Sequence, residues 1–225
     1  MAKIVIFDFD GVIADTEAIH MKAFRETLAP LGISFSDENY FSRYLALDDK
    51  AFFETLLAEN GKDARGETVS ALVREKSLLT ENEIARCELF EGVDALIRSL
   101  ASEGFTLAIA SGALRKEIEA VLSHAGLLEF FPCIVSAGDC EKCKPDPEPF
   151  VRALRGINLS GALDEPAMPG ECLVIEDSVH GIEAAAAAGM RCVAVANSHP
   201  REMLSGADMA VDSALQLNAA VLASF

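Results

Sequence analysis

Four short polar clusters, each set just after an apolar run, carry residue types suited to ion binding and acid–base chemistry. They are Asp8-Phe9-Asp10-Gly11, Ser111-Gly112, Lys144-Pro145 and Glu176-Asp177-Ser178. Carboxylates from Asp8 and Asp177, supported by Glu176 and a backbone carbonyl, form an oxygen-only set that suits a hard cation such as Mg²⁺. Without a cation, four acids at one site would repel and raise each other's pKa. Lys144 would offset part of that charge and hold an anion. Ser111 and the N–H groups after it open a helix, a place where anion oxygens bind. Gly11 permits a tight turn after the first acid. Each residue also has a plainer role: Asp8, Ser111 and the Glu176 cluster as helix caps, Lys144 as a solvated loop lysine. Those plainer roles are independent of one another, whereas one site accounts for all four clusters.

To meet, the clusters must leave neighbouring strands at one edge. Five apolar runs read as buried parallel strands: Lys3–Phe7, Thr106–Ala110, Ile134–Ala137, Cys172–Ile175 and Cys192–Ala196. Helical spacing separates them over Gly92–Ser102, over Arg115–Ala125 with Gly126 as its C-cap, and over Val179–Ala188. Gly156–Gly170 is rich in Gly, Pro and Ala and reads as a loop. This alternation predicts an α/β fold, a Rossmann-like parallel sheet with ligands beyond the carboxyl ends of the strands. Residues 15–88 differ, because they lack a strand pattern but repeat apolar residues at helical spacing (Phe24 and Leu28; Phe52, Phe53, Leu56 and Leu57; Val69, Leu72 and Val73). The expected organisation is therefore an α/β core over 1–14 and 89–225 with an all-helical cap inserted over 15–88. That arrangement also explains a length of 225 residues, more than one domain and less than two.

Composition narrows the partners. The chain is 51% hydrophobic and 24% charged, with a net charge of −17. An acidic excess disfavours nucleic acid and anionic membrane surfaces, both of which select clustered Lys and Arg. No apolar run approaches the roughly 20 residues of a membrane span. Ile4–Phe7 is too short for a signal peptide, so a cytoplasmic protein, monomeric or weakly dimeric, is expected. Of six cysteines, Cys140 and Cys143 form a lone C-x-x-C without matching further ligands, while Cys172 and Cys192 read as small core residues.

The four clusters, in order and in spacing, resemble the motifs of the haloacid dehalogenase superfamily of phosphohydrolases, and the resemblance runs through Asp8-Phe9-Asp10-Gly11-Val12-Ile13-Ala14-Asp15-Thr16-Glu17 and nearly the whole chain. It is greatest to the helical-cap subgroup of phosphoglycolate-type and other sugar phosphatases and β-phosphoglucomutase. The resemblance implies that Asp8 is a nucleophile taking the phosphoryl group as an aspartyl phosphate. Asp10 would be the acid that protonates the leaving alcohol and then the base that activates water. Mg²⁺ would be held by Asp8, the Asp10 carbonyl, Asp177 and Glu176, while Ser111, Gly112 and Lys144 bind the phosphoryl group. The substrate would be a small phosphate monoester. The cap would be a lid hinged near Asp15-Thr16 and Leu89–Gly92, with His20 reaching the leaving group and Arg43 and Lys50 as candidates for a second anion.

Two alternatives remain at this level. A β-phosphoglucomutase-type mutase shares His20, but its cap carries a basic stretch where this chain reads Tyr44-Leu45-Ala46-Leu47-Asp48-Asp49-Lys50, and two acids there would repel a second phosphate. A response-regulator receiver also has paired acids, a hydroxyl and a lysine, but places the acids side by side and has no helical insertion. Walker and dinucleotide glycine motifs are missing from the sequence.

Overall fold

The computed structural model describes residues 4–44 and 47–225, so Lys3, Leu45 and Ala46 lie outside the described residues. The chain divides into two compact units, Met1–Asp15 with Cys87–Phe225, and Thr16–Arg86. Among the described residues, no helix is long and apolar enough to cross a membrane.

The first unit is an α/β layer structure. Its six-stranded sheet runs in the order β3-β2-β1-β4-β5-β6, with β1 Ile4–Phe7, β2 Thr106–Ala110, β3 Cys133–Val135, β4 Cys172–Glu176, β5 Arg191–Val195 and β6 Met209–Val211. All pairings are parallel. β1 is central, with Phe7 in register with Ile109 on one side and Ile175 on the other. β-Branched residues fill these strands because both faces are covered, and a parallel sheet buried on both faces needs no polar alternation. On one face Ile4, Ile6, Ala108 and Val174 pack with Phe150 and Ile157 of the helix Glu148–Ser160 and with Ile182, Ala184 and Ala185 of the helix Val179–Ala187. Alanines in the latter helix let its backbone approach the sheet closely.

Three expectations need correction. The third strand is Cys133–Val135 rather than Ile134–Ala137, because Ser136 and Ala137 already turn: Ser136 N–H and Oγ–H both donate to Asp139 Oδ2, at 2.8 and 2.7 Å. The helix Glu148–Ser160 runs through Gly156, which sequence reading had assigned to a loop. Gly156 is tolerated there because it is a contact point, where a Cβ would lie 2.3 Å from Cys133 Sγ. A sixth strand, β6, went unread because three residues at a sheet edge carry too little pattern.

The second unit is helical, built on Glu17–Leu28, Asp49–Glu59 and Gly66–Ile84. Asp48 starts the second of these by accepting a hydrogen bond from Ala51 N–H at 2.8 Å. Its core is aromatic. Phe24 stacks on Phe52 with ring centroids 3.7 Å apart and meets Phe53 edge-on at 5.3 Å. Tyr40 and Tyr44 meet Phe52 at 6.0 and 5.6 Å. Phe52 is thus the ring on which this cluster converges, and truncating it leaves a cavity. Phe52→Ala is expected to lower the stability of the helical unit by about 3–5 kcal/mol. A urea titration followed by circular dichroism measures this; an unchanged midpoint would show that the cluster closes around the gap.

Candidate active site

The carboxyl ends of β1, β2 and β4 deliver the sequence's acidic and hydroxyl groups to one edge. Asp8 extends β1 and stays fixed by donating its N–H to Ile175 O at 2.9 Å. The chain then turns, with Ile13 and Ala14 N–H both donating to Phe9 O at 2.8 and 3.1 Å. Gly11 stands in that turn at φ 76°, where an added Cβ would lie 1.9 Å from Asp177 Oδ2, so no other residue fits. Ser111 leaves β2 with its N–H on Val135 O at 3.0 Å, and its Oγ accepts Ala113 N–H at 3.1 Å. Gly112 follows it, with open space where a side chain would be.

Lys144, from the loop after β3, is the hub of the cluster. Its Nζ lies 2.8 Å from Asp8 Oδ1 and 2.7 Å from Glu176 Oε1, over the Phe150 ring at 4.9 Å. Glu176 closes β4. Its Oε2 accepts Asp177 N–H, Ser178 N–H and Ser178 Oγ–H, at 2.8, 2.9 and 2.9 Å. A Cβ on Gly181 would sit 1.8 Å from that carboxyl carbon, which explains a glycine in the first turn of the next helix. Glu176 is therefore committed on both oxygens, holding the β4 loop with one and Lys144 with the other.

One carboxylate oxygen from each of Asp8, Glu176 and Asp177 lies within 4.8 Å of the others. All three residues are buried. With every group ionised, three carboxylates face one ammonium and the cluster carries two excess negative charges. The electrostatics record the strain. Burial, with Glu176 and Asp10 adding to it, pushes Asp8 up to about 7 despite the pull of Lys144. Burial, then Glu176 and Asp8, hold Asp177 well above the usual carboxylate range. Glu176 goes the other way: burial opposes its charge, but Lys144 and the donated N–H groups outweigh it and keep it ionised. Burial likewise works against the Lys144 charge, and Asp8 and Glu176 overcome it. Asp8 Oδ1 is buried and faces the Lys144 ammonium at 2.8 Å. An oxygen-only donor set and two excess charges together fit a hard divalent cation.

His20 belongs to the helical unit. There Lys76, fully buried, places Nζ 2.6 Å from His20 Nδ1 and 2.7 Å from Asp49 Oδ1, with the Phe24 ring 4.7 Å away. An ammonium has only protons to give, so in this contact Nδ1 is the acceptor. Sequence reading missed Lys76, since nothing in Glu75-Lys76-Ser77 separates a buried lysine from a solvated one. It also missed Asn197 and Ser198, described below. Arg43 pairs with Glu59 and lies over Tyr44, and Lys50 is 3.8 Å from Glu54, so both candidates for a second anion already face acids. Cys140 and Cys143 form no disulfide and join no metal-binding cluster among the described residues.

A family model described as haloacid dehalogenase-like hydrolase matches residues 5–195. Protein CbbY of Cereibacter sphaeroides is 32% identical over 96% of this chain and 94% of its own. The fructose-1-phosphate phosphatase YqaB of Escherichia coli is 31% identical over 85% of this chain and 95% of its own. A crystal structure of CbbY from Rhodobacter sphaeroides in complex with phosphate superposes with a TM-score of 0.86 at 28% identity, covering 99% of this chain and 100% of that one.

The raised acids give the pH dependence a sign. In the metal-free fold Asp8 and Asp177 hold protons that the unfolded chain has released above its ordinary carboxylate pKa of 3.8. The Asp8 contribution to stability is therefore lost as pH rises from there through about 7, and Asp177, raised too, acts in the same direction. The melting temperature in chelator is expected to fall between pH 5.5 and pH 8 by more in the native protein than in Asp8→Asn, and added Mg²⁺ should raise it more at pH 8. Scanning calorimetry across that range tests this, and equal pH slopes for the two proteins would contradict it.

Proposed function

This chain belongs to the haloacid dehalogenase-like hydrolases and is a phosphoric monoester hydrolase; from that membership and the buried acid–lysine cluster we propose a Mg²⁺-dependent phosphatase of small phosphate monoesters, sugar phosphates above all, working through an aspartyl phosphate. The observation that carries the reading is Asp8 paired with Lys144 and grouped with the β4 acids, one carboxylate oxygen from each of Asp8, Glu176 and Asp177 lying within 4.8 Å of the others. Asp8 would attack phosphorus, so that the phosphorus–oxygen bond to the sugar breaks as the bond to the carboxylate forms. Asp10 gives its proton to the departing alcohol oxygen. It then takes a proton from the water that cleaves the acyl phosphate and regenerates Asp8. The Ser111 hydroxyl, the Gly112 N–H and Lys144 hold the phosphoryl oxygens. Asp8, the Asp10 carbonyl and Asp177 are the assigned ligands of Mg²⁺, with Glu176 in support. Bound there, the cation supplies charge neutralisation, so that an anionic nucleophile can approach an anionic ester.

For the leaving group we assign His20, whose ring is oriented by the 2.6 Å contact of its Nδ1 with Lys76 Nζ. Hydrolysis is favoured over a mutase by Asp49, whose carboxylate neutralises the buried Lys76 at 2.7 Å and so removes a cation that a second phosphate could use. A screen of sugar and glycolate monophosphates with Mg²⁺, reading released phosphate, tests the proposal. Asp8→Asn is expected to lose at least about 1,000-fold in kcat, and Asp10→Asn about 100- to 10,000-fold. Full activity of Asp8→Asn, or interconversion of sugar phosphates without phosphate release, would refute it.

A further inference from the structure

The strand beside β4 reaches back into the acid cluster through two residues that no ligand set includes. β5 ends at Val195, and the chain beyond it is fixed by Ala196 N–H donating to Val211 O and Asn197 N–H donating to Val195 O, both at 2.9 Å. From this anchored loop, Asn197 Nδ2 donates to Gly11 O at 2.7 Å. The hydroxyl of Ser198 hydrogen-bonds the Asp177 carboxylate. Both contacts meet at one corner, since a Cβ on Gly11 would lie 1.9 Å from Asp177 Oδ2 and 2.7 Å from Ser198 Oγ. The turn that carries Asp10, the carboxylate of Asp177 and the β5 loop are thus packed against each other with no slack.

A carboxylate on a loop and a main-chain carbonyl in a turn hold an octahedral cation only while their oxygens keep direction, and outer hydrogen bonds supply that constraint. We propose that Asn197 and Ser198 are positioning residues of the divalent-cation site: Asn197 pins the Asp10–Gly11 turn and Ser198 aims Asp177. Together they set Mg²⁺ affinity without touching the substrate. This inference rests on the magnesium reading of the acid cluster, and its test separates the two.

Isothermal titration of MgCl₂ into the full chain is compared for the native protein, Asn197→Ala, Ser198→Ala and Ser198→Thr. The alanine variants are expected to raise the Mg²⁺ dissociation constant about 10-fold or more, while Ser198→Thr, which keeps the hydroxyl, stays near native. On a monoester turned over by the native protein, the Mg²⁺ concentration for half-maximal rate should shift by the same factor, with kcat recovered at saturating Mg²⁺. Melting curves in chelator identify a variant that has lost its fold; if Asn197→Ala melts early, Ser198→Ala against Ser198→Thr decides. Unchanged affinity in folded alanine variants, or a kcat deficit that persists at saturating Mg²⁺, overturns the proposal. If the native protein itself takes up no Mg²⁺, the magnesium reading fails instead.

Discussion

Taking a carboxylate out of water costs several kcal/mol unless its charge is matched, and the core unit buries three of them on one sheet edge. Lys144 answers part of that cost by facing Asp8 and Glu176 together. Glu176 has spent both oxygens on the lysine and on its own loop. The unbalanced charge therefore falls on Asp8 and Asp177, the two acids with room to bind something else. A site built this way is not neutral by itself, and its affinity for a cation is the other face of its poor tolerance for emptiness.

The sheet is what makes such crowding possible. Parallel strands in register bring Asp8, Ser111 and Glu176 to one edge because Phe7 pairs with both Ile109 and Ile175. Two glycines remove the obstacles: at Gly11 and at Gly181 any side chain would occupy the space of an acid. The helical unit relies on a different principle. Its stability comes from stacked and edge-on rings around Phe52, and its buried cation, Lys76, is shared among an acid, an imidazole and a ring.

Much of this was legible in the sequence, for physical reasons that also mark the limits. Buried parallel strands read as apolar runs ending in polar residues, so β1, β2 and β4 and the groups after them could be found from pattern alone. β3 slipped because Ser136 and Ala137 continue an apolar-looking run while their backbone is already turning toward Asp139. The end of the helix Glu148–Ser160 reads as loop from Gly156 on because that glycine marks a tight contact rather than a break. Lys76, Asn197 and Ser198 left no trace, since each acts through a partner far away in the chain and no local spacing encodes that.

The insertion of the helical unit also orders how the chain is made. Thr16–Arg86 is contiguous, so the rings around Phe52 find all their partners within one stretch and little loop entropy opposes their meeting. β1 precedes the helical unit, yet both of its neighbours, Thr106–Ala110 and Cys172–Glu176, are synthesised after that whole unit. As the protein leaves the ribosome, the strand that precedes Asp8 and Asp10 must wait as an unpaired apolar segment until β2 and then β4 emerge. Its brevity, and the acids that follow it, limit how readily that waiting strand can pair with another nascent chain.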